Sequence, residues 1–227
     1  MGRGRRDGAK FETGRTSMMV ARVRSRAKAR RRIWVLLGSL VLAGCSLLQD
    51  PSSPPQAFLL DVGTYAPPLA RRSSDKTLLV TVPKAAPGFD SNRIAYTREP
   101  LKLDYYKDNV WSDTPSKMLL PILVRAFERT GAFKAVVSPP ASALTDLRVD
   151  VEVIRLQQEF SVRPSQVRLT ARIKVIGMKN GYVLGTQVFE AVEPAPSEDA
   201  YGAARAANAA VQKLLTDMLP FALRYSG

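Results

Sequence analysis

Two stretches of strict alternation dominate the hydropathy pattern of this chain. Leu147, Val149, Val151 and Val153 alternate with Arg148, Asp150 and Glu152. Val167, Leu169, Ala171, Ile173 and Val175 alternate in the same way with Arg168, Thr170, Arg172 and Lys174. Successive side chains of a strand point to opposite faces, so each run has one apolar and one wet side. That is the pattern of an antiparallel sheet covered on one face. Asn180-Gly181 follows the second run and predicts a type I′ hairpin into a further strand over 182–192. Shorter extended pieces are expected at 57–62, 77–82 (stopped by Pro83), 94–97 and 101–106, the last two separated by Pro100. Loops are expected at 66–75 and 138–142, and Pro87-Gly88 marks a turn.

The period changes to helical in two places. Asp113 or Thr114 offers a side-chain oxygen cap ahead of Pro115, and Leu119, Ile122, Leu123, Ala126 and Phe127 then form one apolar stripe. Gly131 ends that helix, and Pro121 inside it should kink it by removing a hydrogen bond. A final helix is expected from about Ser197, with Glu198 and Asp199 suiting its dipole. Its stripe is Ala200, Ala204, Ala207, Val211, Leu214, Leu215 and Met218, and Pro220 should stop it. The small residues of its first half predict close approach to a sheet. The expected fold class is therefore α+β: a single domain, with a mostly antiparallel sheet packed on one face by two main helices.

Ahead of this body the pattern is different. Arg30-Arg31-Arg32 precedes twelve uncharged residues, 33–44, and then Cys45, the only cysteine. The run is too short for a spanning helix, which needs roughly 20 apolar residues, and suits a signal-peptide h-region. Leu42-Ala43-Gly44-Cys45 looks like a lipobox, whose small residues admit a peptidase and whose thiol is acylated. A structural thiol in a core is the competing reading, and the end of an apolar run is a poor place for one. The expected organisation is a signal peptide over 1–44, a lipidated N-terminus and Pro/Ser-rich tether over 45–56, and a domain over 57–227. The first 17 residues exceed an ordinary n-region, so translation is expected to start at Met18 or Met19.

Composition reads correctly only after this division. The chain holds 34 basic and 20 acidic residues, a formal +14. Residues 1–44 carry twelve basic and two acidic residues, so +10 of that lies ahead of Cys45. The remaining +4 gives no reason to expect a nucleic-acid partner. Histidine is absent, and Cys45 is expected to carry acyl groups. Ser-His-Asp and Cys-His nucleophiles and His or Cys metal sites are excluded. No catalytic residues, no metal and no cofactor beyond a covalent acyl/diacylglycerol anchor on Cys45 are expected, and the chain reads as a non-enzyme.

Two surface features remain. Arg168, Arg172 and Lys174 suit phosphate groups, but Asp150 and Glu152 on the neighbouring strand favour ordinary cross-strand pairing. Tyr96, Tyr105, Tyr106 and Trp111 are candidate partner-binding residues, because Tyr and Trp serve as interface anchors. The competing reading covers the sheet with one or two of the rings, and Tyr105 and Tyr106 must point to opposite sides of a strand.

These residues also carry a resemblance. Ile94, Tyr96, Arg98, Tyr106, Trp111, Pro115 and Leu119 occupy the places of a pattern that precedes the first long helix in the ABC-type transport auxiliary lipoprotein family, the PqiC-like proteins. The resemblance covers roughly 58–219. It implies a partner of an MCE-type ABC lipid transport system, docking the periplasmic MCE component at a membrane. It also implies lipid anchoring in the cell envelope, at the periplasmic face of the outer membrane. Ser46 rather than Asp after the cysteine agrees with outer-membrane sorting. Some such proteins are similar to ring-forming oligomers, so a homo-oligomer is an expectation. The alternative is a periplasmic lipoprotein that holds a lipid in its own cavity. Protein extracted from membranes should begin at Cys45 and carry acyl mass by intact mass spectrometry, and Cys45→Ser should remove both features.

Overall fold

A computed structural model describes residues 54–63, 65–70, 72–141 and 143–227. The lipobox residues Leu42, Ala43, Gly44 and Cys45 and most of the tether lie outside the described residues. The described body contains β1 (Gln56–Phe58), β2 (Thr77–Val80), β3 (Lys84–Ala85), β4 (Arg93–Thr97) and β5 (Asp104–Trp111). After α1 (Pro115–Arg129) come β6 (Ala135–Val137), β7 (Leu147–Glu159), β8 (Gln166–Gly177), β9 (Val183–Pro194) and α2 (Ala200–Leu223).

The two alternating runs become β7 and β8, the longest ladder of one open sheet. Antiparallel pairing continues from β8 to β9 and recurs between β4 and β5. The parallel ladders are two or three residue pairs each. By paired length the sheet is mostly antiparallel, and the α+β expectation is met. β7 organises it. One edge of β7 pairs with β8 throughout, while β2, β3 and β4 lie end to end along the other, opposite Leu147, Glu152 and Gln157 in turn.

A register shift between Val153 and Arg155 explains why the alternation in β7 stops short of the strand's end. Before it, Leu147, Val149, Val151 and Val153 face the core; after it, Leu156 and Gln158 do. One extra residue at a β-bulge reverses the parity of all that follows.

Both helices cover the apolar face. All five stripe residues of α1 are buried. In α2 the buried set includes Ala200, Gly202, Ala203, Ala204, Ala206, Ala207 and Ala210. These small side chains let the helix backbone lie close over β8 and β9, as their spacing predicts. Asp199 caps α2 by accepting from the Gly202 N–H at 2.7 Å.

Several local expectations need correction. Pro220 does not stop α2, which runs to Leu223, and α1 passes without interruption through Pro121. Both prolines lie on exposed helix faces, where water can solvate the carbonyl left without an N–H donor. Thr114 is the N-cap of α1 but makes no side-chain cap bond, and Asp113 instead accepts from the Thr114 N–H and from Lys117. The β8–β9 connection spans 178–182 with only Gly181 at positive φ, so it is not the two-residue type I′ turn. β1 ends at Phe58, although Leu60 and Val62 are buried beyond it. Side chains of α2 satisfy that irregular backbone: Asn208 donates to the Leu59 carbonyl at 3.1 Å, and Gln212 donates to the Val62 carbonyl at 3.1 Å. β5 starts at Asp104 rather than 101 and continues to Trp111. Strands β3 and β6 were not expected, being too short to show a period.

A methyl group on Gly202 would overlap the Ser197 carbonyl. Gly202→Ala should therefore destabilise the fold by about 1–3 kcal/mol, the usual range for overpacking, despite alanine's better helix propensity. Thermal unfolding of the variant would show it.

Candidate functional site

The β4–β5 hairpin brings some of the candidate aromatic residues together and separates others. Tyr96 on β4 and Tyr106 on β5 have ring centroids 4.9 Å apart. Phe160, just past the end of β7, meets Tyr96 edge-on at 5.8 Å. The Arg98 guanidinium lies 5.4 Å from the Tyr96 ring centre and 5.2 Å from that of Phe160. Cation–π attraction thus ties the hairpin to the β7–β8 connection.

Beneath this cluster runs a polar chain. The Tyr106 hydroxyl donates to Gln158 Oε1 at 2.7 Å, and Gln158 Nε2 donates to Ser165 Oγ at 2.8 Å. The Ser165 N–H donates to Glu198 Oε1 at 2.8 Å. Gln158 and Ser165 are fully buried, so each needs these partners. Burial pushes the Tyr106 hydroxyl up to about 12, with the Asp199 charge adding to it. The hydrogen bonds from Ser165 hold Glu198 below the usual carboxylate range. Tyr106 therefore stays protonated at physiological pH and acts as a donor.

Tyr105 points to the other side of β5, as alternation requires. Its hydroxyl donates to the Gly88 carbonyl at 2.9 Å, and the Arg93 guanidinium covers its ring at 3.7 Å. Trp111 departs from its expected role. It is 3% exposed and packs in the core with Ile94, Leu156 and Val167. Its ring anchors the end of β5 and presents no contact surface to a partner. Sequence reasoning missed Gln158, Phe160 and Ser165, which lie beyond the bulge where the alternation no longer signals which side chains turn inward.

The polar face of the sheet is paired rather than open. Arg168 makes two bonds to Glu159, at 2.9 and 3.1 Å, and a third to Glu190 at 2.5 Å. Arg172 reaches Glu152 at 2.5 Å, and Arg148 lies 3.1 Å from Asp150. Cross-strand pairing accounts for Arg168 and Arg172, while Lys174 makes no ion pair among the described residues. A recess of about 430 Å³ on this face is lined by charged side chains of both signs, including Lys84, Asp150, Glu152 and Lys174. Burial by itself would raise the Glu159 carboxyl, but hydrogen bonds from Arg168, Gln166 and Gln157 outweigh it and hold it below its usual value.

Among the described residues no group of three or more acidic, His or Cys side chains is placed to hold a metal ion. No described helix is long and apolar enough to cross a membrane. The gap between Trp111, Gln158, Ala203 and Ala207 is about 10 Å³, at the lower limit for a single water.

Residues 58–219 match the model of a family described as the ABC-type transport auxiliary lipoprotein component. A crystallised Xanthomonas campestris protein of family DUF330 is similar with a TM-score of 0.62 and 23% identity, over 76% of this chain and 94% of that one. The crystal structure of an uncharacterized protein is similar with a TM-score of 0.56 and 11% identity, over 76% and 99%. At these identities the likeness establishes the fold. No curated protein sequence matches the chain significantly.

The folded Glu159 carboxyl titrates below its unfolded value, which lies near 4.3. Its contribution is fully present above that value and is lost as pH falls through the folded one. Arg168→Ala should cost about 2–3 kcal/mol at pH 7, as for a buried hydrogen bond to a charged group. Urea unfolding at pH 7 and at pH 3.5 should show the difference from wild type shrinking at the lower pH.

Proposed function

The chain belongs to the ABC-type transport auxiliary lipoprotein family, and on that premise we propose that it is a docking subunit of an MCE-type lipid transport system. Acyl groups on Cys45 hold the body at the periplasmic face of the outer membrane. The body receives the periplasmic MCE component and keeps it close to the bilayer, which raises the effective concentration of carrier at its target. The protein contributes binding and position, not chemistry. The observation that carries this reading is the extent of the family match, which covers nearly all of the described body.

The hairpin β4–β5 is the proposed contact, through the rings it leaves at its surface. Tyr105 with Arg93, and Tyr96 with Arg98, are amphipathic pairs of the kind found at the centre of protein interfaces. Trp111 supports them from within. The alternative reading, a lipid carried in a cavity of this body, is less favoured: the space beside Trp111 is about 10 Å³, and the recess of about 430 Å³ is lined largely by charged residues.

Capture of the MCE component by full-length, membrane-extracted protein should weaken about tenfold with Tyr105→Ala, the scale of a single interface anchor. Circular dichroism must show the variant folded. Unchanged capture with both Tyr105→Ala and Tyr96→Ala rejects this hairpin as the contact.

A further inference from the structure

The turn joining β4 to β5 carries an apolar residue where neither solvation nor backbone geometry favours one. The Lys102 N–H donates to the Glu99 carbonyl at 3.3 Å, which closes a turn with Pro100 and Leu101 at its centre. Leu101 has φ +66° and is 108% exposed. A turn with Pro at its second position and positive φ at its third normally has Gly or Asn there, since other side chains are strained. Leucine gains nothing from the fold at this site, because it touches no core. Strain combined with full exposure directs attention to something outside the body.

The same end of the sheet has a second apolar tip. β4 runs parallel to β7, and the Phe160 N–H donates to the Thr97 carbonyl at 2.9 Å, so the β4–β5 turn and the β7–β8 connection are neighbours. Val162, at the crest of that connection, is 45% exposed. The first tip reads Arg98-Glu99-Pro100-Leu101-Lys102, with Lys102 next to Leu101, and Arg163 follows Val162.

The tether enters from this end. β1 is parallel to β5, with Gln56 beside Asn109 and Phe58 beside Trp111. The chain before Gln56 therefore comes from the side of Asp104, where the tips are. By strand rise, Gln56 lies roughly 13 Å from the tip end of β7 and roughly 30 Å from its other end. Ten residues separate Cys45 from Gln56, a reach of roughly 35 Å at full extension.

We propose that the two hairpin tips rest on the bilayer to which the protein is anchored, with Leu101 and Val162 entering the headgroup region of the membrane and Lys102 and Arg163 meeting lipid phosphates. This rests on the reading of Cys45 as the acylated residue. The occupant is the membrane because the chain leaves β1 toward this end, and because apolar tips each followed by a basic residue match its interface. A protein contact of this kind adds to the acyl anchor and sets the orientation of the body. The far end, at the start of β7, then points into the periplasm.

The test uses the full-length lipoprotein in vesicles of phosphatidylethanolamine and phosphatidylglycerol. With Cys45 acylated, a nitroxide can be placed on Leu101→Cys, Val162→Cys or, as control, Leu144→Cys. Leu144 is 98% exposed and lies just before β7, at the opposite end. Labels at 101 and 162 should collide several-fold more with oxygen than with a water-soluble nickel chelate, relative to the label at 144. A label at 101 as aqueous as that at 144, in protein that still floats with the vesicles, overturns the proposal and leaves the anchor standing. A label at 101 shielded from both reagents means that protein covers the tip, and this also overturns it. Failure to float, with no acyl mass, overturns the anchor and the proposal with it.

Discussion

Backbone pairing along both edges of β7 is the constraint on which the rest of the fold depends. Each strand N–H and carbonyl taken from water needs a partner. β7 meets that requirement with β8 on one side and with three short strands on the other. Those three strands are too short to be stable alone. Their positions are set by the spine, and so are those of the loops between them. The bulge at Val153 then turns Gln158 inward, where it serves as the hub of the Tyr106–Gln158–Ser165 chain.

The two faces of the sheet divide the work. The apolar face is closed by α1 and by the alanine-rich start of α2. The other face is wet, and its charges are largely matched across strands, with Arg168 held by Glu159 and Glu190. The features without a role in stability lie at the hairpin ends. The docking role proposed for the protein would use such ends, which a rigid sheet presents at fixed separation.

Legibility in the sequence followed the range of the interactions. The alternation in 147–153 and 167–175 and the stripe from Leu119 to Phe127 were read correctly, because each repeats within one element and its burial follows from that element alone. The prolines misled: a local rule assigns Pro220 a stop, yet α2 continues because its buried face stays packed while the proline faces water. Trp111 misled for the opposite reason. Its residue type suggested an interface anchor, but β5 extends through it and carries it beneath α2.

The amino-acid sequence alone determined the two long strands, the two apolar helix faces, the absence of histidine-based chemistry, and the concentration of positive charge ahead of Cys45. Only the tertiary structure decided that β2, β3 and β4 share one edge of β7, that Tyr96 and Tyr106 meet, and that Leu101 stands beside the β7–β8 connection. The first set arises from periodicity and composition, which any window of the chain displays. The second joins residues from ten to about seventy positions apart, and which pairs with which is selected by the backbone bonds and burial of the whole sheet at once.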